Sequence, residues 1–203
     1  MTDTRRHPVP RSRPARLRPG LPSLVALAVC DNGQEPAEPV QIAVCPITPD
    51  GHAGEPVSWL VRPVAPVTAL MTTRVHGITN AELRTAPPLA EVWIQVVEAL
   101  GDRTVVVHNV RRALRILTEV AGHLAARPLL DSMRLAARLH MNAGGSYSLR
   151  PLLSAVGLDR HVAEVEAAEW LAHATATVFG HVVVHGPKVP FSVLASWCQP
   201  LLP

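Results

Sequence analysis

Lysine is almost missing from this chain: Lys188 stands alone beside 18 arginines. Aromatic side chains are equally scarce. Trp59, Trp93, Trp170, Trp197, Tyr147, Phe179 and Phe191 make up 3% of the residues, too few to support a platform for stacked bases. Three cysteines (Cys30, Cys45, Cys198) form no CxxC pair, which argues against a disulfide framework or a thiolate zinc site and leaves buried, unreactive thiols as the expectation. No apolar run approaches the ~18 to 20 residues that span a bilayer. The N-terminal arginines are followed by prolines, without the apolar core of a secretion signal. These absences make a soluble, cytoplasmic protein with no membrane partner the expectation, and no internal repeat is visible.

What is present fits one globular domain with tails: 203 residues, 48% hydrophobic and 17% charged, with a formal net charge of +3. The charge is unevenly distributed. Residues 1–22 carry Arg5, Arg6, Arg11, Arg13, Arg16 and Arg18 against Asp3, a local balance of +5, while the remainder holds 13 basic and 15 acidic groups. A proline-rich basic arm cannot bury enough apolar surface to fold, so residues 1–22 read as disordered. Such an arm either binds a polyanion through phosphate contacts or is a solvated tail. Residues 23–185 read as the folded domain, and 186–203 as an apolar, proline-punctuated tail that packs back or docks a partner.

Within the domain, Leu24–Cys30, Val40–Ile47 and Val57–Val61 are β-prone apolar runs, the third leading into a long loop. After Pro87 and Pro88, apolar residues recur at helical spacing from Leu89 to Leu100, and Gly101 ends that helix. Thr104–Val107 reads as a buried strand and Val110–Ala126 as a helix. Further helices are expected over Ser132–His140, Leu149–Val156 and Val165–Val178. Three strands, a helix, a strand and then helices predict an α/β fold with a mixed sheet flanked by helices.

Five strings occur in order: Val75-His76-Gly77-Ile78-Thr79, Pro87-Pro88-Leu89, Val106-Val107-His108-Asn109, Asp131-Ser132-Met133-Arg134-Leu135-Ala136 and Ser146-Tyr147-Ser148-Leu149. Taken one by one, Gly77 suits a turn, Asp131 a helix cap and Tyr147 a packing role. Together, from about Leu24 to Val184, they resemble the DnaQ-like (DEDDh) 3'-5' exonucleases. That resemblance implies the RNase H-like fold. It also implies a phosphodiester hydrolase with four carboxylates holding two magnesium or manganese ions and a histidine acting as general base.

Carried over position by position, the resemblance finds those groups missing. The family's Asp-x-Glu on the first strand falls on Ala28 and Cys30, a register supported by Val40-Gln41-Ile42-Ala43-Val44 on the second. The family's His-Asn-x-x-Phe-Asp reads His108-Asn109-Val110-Arg111-Arg112-Ala113, so the metal-binding Asp has become Ala113. In the last motif the base falls on Glu166 and the final ligand on Leu171. His76, His108 and Asn109 would remain as relics of the cleft. The resemblance therefore implies a catalytically inactive homologue with no metal cofactor, serving as a nucleic-acid-binding or replication- and repair-associated scaffold. Its partners would be DNA or RNA, held by the arm or the former cleft, with a protein partner or a second copy also open.

Two other classes stay open. One is an active, magnesium- or manganese-dependent exonuclease with ligands relocated to Asp31, Glu166 or Glu169; the other is a pure protein-interaction module. Arg112 either receives nucleic acid or covers apolar surface with its stem, and Arg111 and Arg115, four residues apart, read as a solvated helix face. His173, His181 and His185 lack a cysteine or carboxylate at matching spacing and read as surface or capping histidines. Gln199 to Pro203 faintly resembles peptides that bind sliding clamps.

Overall fold

β-branched and aliphatic residues form a strand buried on both faces when helices cover both sides, and β1 (Leu24–Asp31) is such a strand. In the computed structural model, which describes residues 21–141, 145–158 and 166–200, β1 is the middle of five. It pairs antiparallel with β2 (Pro39–Ile47) and parallel with β4 (Thr104–Val107). Beyond these lie β3 (Val57–Leu60), antiparallel to β2, and β5 (Leu129–Asp131), parallel to β4, giving the order β3-β2-β1-β4-β5. The mixed sheet expected from the sequence is present.

Alternation along β1 sorts its side chains between two cores. Leu24, Ala26, Ala28 and Cys30 pack with Ala172, Ala176 and Phe179 of the long helix α8 (Ala168–His185). Val25 and Leu27 face the other way, toward Val92 and Val96 of α3 (Leu89–Leu100) and Val110 of α4 (Val110–Ile116). Each fully buried Leu or Val contributes roughly 1.5–3 kcal/mol relative to exposure. A third cluster joins α7 (Leu149–Ala155) to α8 through Leu152, Leu153 and Val178.

Several expectations are corrected. The long loop after β3 contains α1 (Ala69–Arg74) and α2 (Asn80–Leu83), started by Thr68 and by a Thr79–Glu82 capping box. The single helix expected over Val110–Ala126 breaks into α4, a 3-10 turn at Thr118–Val120 and α5 (Ala121–Ala125), because Leu117 leaves helical geometry at ψ 36°. β5 escaped the sequence reading because three residues show no periodicity, and it leads straight into α6 (Ser132–Arg138), which ends short of His140. α8 starts at Ala168 and runs past Val178 to His185. In the tail, α9 (Phe191–Trp197) packs back, with Leu194 and Cys198 buried, and the Asp131 amide donates to the Cys198 carbonyl at 2.8 Å, covering the outer edge of β5. The Arg5–Arg18 arm and residues 201–203 of the clamp-like string lie outside the described residues. Among the described residues, no helix is long and apolar enough to cross a membrane.

Candidate functional site

The parallel strands β1 and β4 end side by side, and in open α/β sheets ligands bind beyond such carboxyl ends. Here the space between those ends, the start of α4 and the first turns of α8 is a cavity of about 280 Å³. Ala28, Cys30, Ala113, Glu166 and Leu171, drawn from three distant parts of the chain, all line it. So do His76, His108, Asn109 and Arg112.

Chain geometry explains each placement. Ala28 and Cys30 share a face of β1, opposite Ala43 and Gln41 of β2, and the register shifts between Cys30 and Asp31. Asp31 thereby joins the lining, with its side chain 9% exposed. Asn109 adopts a left-handed conformation (φ 68°) and caps α4 by accepting from the Arg112 amide, so the next turn presents Arg112 and Ala113 to the cavity. Asp131, expected as a cap of α6, does more. Its carboxylate accepts from Met133 and Arg134 at the start of α6 and from Asn109 and Val110 at the start of α4.

His76 and His108 are both fully engaged. His76 is buried; its Nδ1 accepts from the Ile78 amide at 3.0 Å, which leaves Nε2 to donate to the Asp31 carbonyl at 3.1 Å. His108 Nε2 donates to the Tyr147 carbonyl, and Nδ1 lies 2.9 Å from the Ser132 hydroxyl. These are bonds of neutral imidazoles, and burial pushes both pKa values below the ordinary histidine range. The unfolded chain, titrating near about 6.5, therefore binds more protons than the folded one as the solution is acidified. The stability contributed is present above that pH and lost as pH falls toward the folded-state values. The urea midpoint is expected to be lower at pH 5 than at pH 7.5, with a smaller difference in His76→Gln; an equal difference in that variant would remove His76 from the account.

Among the described residues, the acids near the site do not converge. Asp31 Oδ1 accepts from the Gly33 amide at 2.9 Å, and Oδ2 pairs with the Arg112 guanidinium at 2.7 Å. Glu166 pairs with Arg150 Nε at 2.7 Å, and that guanidinium stacks 5.0 Å over the Trp170 ring. Glu169 lies outside the cavity lining and accepts from the Ser58 hydroxyl of β3. Cys30 donates to the Glu166 carbonyl, and burial first, then the Asp31 charge, pushes its thiol up to about 12. Cys198 and Cys45 are likewise raised, to about 12 and about 11, mainly by burial.

A pair of hard divalent ions needs several carboxylate oxygens turned to a common point. Among the described residues, the two acids that line this cavity are each committed to an arginine, and the other lining positions are aliphatic, thiol, thioether, imidazole, amide, two lone hydroxyls (Ser148, Thr175) and the Arg112 guanidinium. Among the described residues, no group of three or more His, Cys, Asp or Glu is placed to hold a metal. The described residues that line the cavity do not by themselves fit a two-metal centre.

Sequence reasoning missed Arg150, which neutralises Glu166, and Thr175, a residue 1% exposed that lines the cavity and whose hydroxyl has no hydrogen-bond partner among the described residues. A Thr on an apolar helix gives no local sign of which face meets a cavity. His173, His181 and His185 gather away from this site, beside Asp50 and His52 of the β2–β3 turn, with the His181 and His185 rings 4.7 Å apart.

A family profile described as Exonuclease, RNase_T, matches residues 28–163. Over 125 residues the chain is 35% identical to a DNA polymerase III subunit epsilon-like protein of Rhodobacter capsulatus. That stretch is 60% of this chain and 18% of the relative, so the chain spans less than a fifth of the relative's length. Exonuclease X in complex with 5' overhanging duplex DNA superposes with a TM-score of 0.61 at 20% identity, covering 85% of this chain and 99% of that one. A 3'-exonuclease in a structure of 3'-end recognition of a histone mRNA stem-loop gives 0.69 at 11% identity, over 82% and 65%. E. coli Exonuclease I with a dT13 oligonucleotide gives 0.63 at 16%, over 83% and 42%. At these identities the structural likeness carries the fold.

Proposed function

We propose, from the premise that the chain belongs to the RNase_T exonuclease family of DnaQ-like proteins with the RNase H-like fold, that this member binds a nucleic-acid end without cutting it. One observation carries the reading. The five positions where the family resemblance expects metal ligands and a base come together in one cavity, and they hold Ala28, Cys30, Ala113, Leu171 and an ion-paired Glu166. Aliphatic and thiol groups offer no hard oxygen to magnesium. The loss also removes the carboxylates that would repel a phosphate in a metal-free cleft, so an anionic end can approach without an ion to screen it.

The similar proteins support the substrate class: solved complexes among them contain DNA or an mRNA stem-loop, and the relative from Rhodobacter capsulatus is polymerase-subunit-like. A scaffold role in a replication- or repair-associated assembly is consistent with these relatives. The competing reading, cleavage by relocated ligands, draws on Asp31 and Glu166 lining the same cavity.

The test is direct. With 5'-labelled single-stranded DNA and RNA in magnesium or manganese, the oligonucleotides are expected to stay full length, and calorimetric titration with manganese to show no tight two-ion binding. Metal-dependent 3' shortening that disappears in Asp31→Asn would overturn the proposal in favour of the relocated-ligand enzyme.

A further inference from the structure

The cavity at the strand ends opens beside a larger one. Where the chain turns at Leu117–Val120, α4 and α5 enclose about 750 Å³ lined by Arg111, Arg112 and Arg115 together with Asn109, Gly122 and Ala125. Asn109 and Arg112 line both spaces, so the two adjoin. The charged side chains lining the second groove are all arginines.

The reading of Arg111 and Arg115 as a plain solvated face is therefore incomplete. Both are exposed and lie four residues apart on one side of α4. The break after Ile116 folds α5 back so that this side becomes one wall of a groove. Neither guanidinium has an ion pair or a side-chain hydrogen bond among the described residues, whereas the two acids nearest the pocket are already paired. Three guanidiniums within five residues repel one another, and an anionic ligand relieves that repulsion. A single small anion meets one fork at a time. Here the charge is distributed from the groove to the pocket mouth, which matches a series of phosphates. At Gly122 there is open space, since a Cβ there would meet nothing within 4 Å.

We infer that the α4–α5 groove carries the backbone of a single-stranded nucleic acid whose terminal nucleotide enters the neighbouring pocket. This rests on the nucleic-acid reading above and gives it a route. The pocket's aliphatic walls suit an unpaired base. Arg112 stands at the junction, its side chain 56% exposed and one nitrogen on Asp31, leaving further donors for a phosphate. Among the described residues, no Phe, Trp or Tyr lines either space, so phosphate contacts dominate and base preference is weak.

The experiment uses the full chain, a labelled 12-nucleotide oligothymidylate and its uridylate counterpart, and fluorescence anisotropy between 50 and 300 mM salt. Removing two phosphate contacts from a single strand lowers the slope of log K against log salt by about 1.4 and the affinity at 0.1 M salt roughly 10- to 30-fold. That is expected for Arg111→Ser/Arg115→Ser, with an unchanged melting temperature confirming that the variant folds, while Arg111→Lys/Arg115→Lys keeps most of the slope. Unchanged affinity and slope in the serine variant, with the unaltered protein binding well, would place binding elsewhere, including the N-terminal arm, and overturn the route alone. Absence of binding by the unaltered protein at 50 mM salt would overturn the nucleic-acid reading itself.

Discussion

Asp131→Ala is expected to lower stability by roughly 3–5 kcal/mol, the largest loss from any single side-chain truncation near the site. Asp131 is 6% exposed, and its two oxygens accept from four backbone amides: Asn109 (3.3 Å), Val110 (2.9 Å), Met133 (2.9 Å) and Arg134 (3.2 Å). The starts of α4 and α6 thus point their free N–H groups and the positive ends of their dipoles at one carboxylate. Alanine leaves these donors unsatisfied where the protein admits little water. Individual charge-assisted bonds are worth about 1.5–3 kcal/mol but do not add, hence the stated range. Asp131→Asn keeps an acceptor and loses the charge, so it is expected to cost about half as much. Urea unfolding followed by circular dichroism measures both. A loss below about 1 kcal/mol for the alanine variant would mean that the helix starts find other partners. The consequence for the site follows from connectivity: the helix held by Asp131 presents Arg111, Arg112, Ala113 and Arg115.

Two glycines in helices are expected to respond to alanine with opposite signs. Helix propensity alone favours alanine at both, by about 1 kcal/mol. At Gly180 of α8, a Cβ would land on the carbonyl oxygen of Gly51 and lie 2.8 Å from its carbonyl carbon. Backbone meets backbone there, and no flexible side chain can yield. Gly51 sits in the turn after β2 with φ +82°, closed by the Gly51 amide on the Thr48 carbonyl at 2.8 Å. Gly180→Ala must lift the turn from the helix, at a cost of about 3 kcal/mol. Gly122→Ala in α5 meets open space and is expected to stabilise by roughly 0.5–1 kcal/mol. Urea midpoints for the two variants decide it: a Gly180→Ala midpoint at or above the parent would show that the turn moves freely.

Much of the architecture was legible because its signals are local. The apolar run Leu24 to Cys30 and the helical spacing of Leu89, Val92, Trp93, Val96 and Leu100 reappear as β1 and α3 almost to the residue. β5 was not legible, because three residues cannot display a period and its partner β4 is remote in sequence. The break of the helix after Ile116 was missed because no proline or glycine stands between Leu117 and Val120 to mark it. It is this break that converts a plain arginine face into a groove.

At the site, the sequence by itself determined which residue types stand at Ala28, Cys30, Ala113, Glu166 and Leu171, and the family strings that mark those positions as related. Only the tertiary structure decided that they share one cavity, and how the remaining charges are spent. Asp31 meets Arg112 across 81 positions of sequence, and Glu166 meets Arg150 across 16. The physical reason is range. Periodicity and capping act within a few residues, whereas the pairing of a buried carboxylate depends on which helix the folded sheet brings beside it.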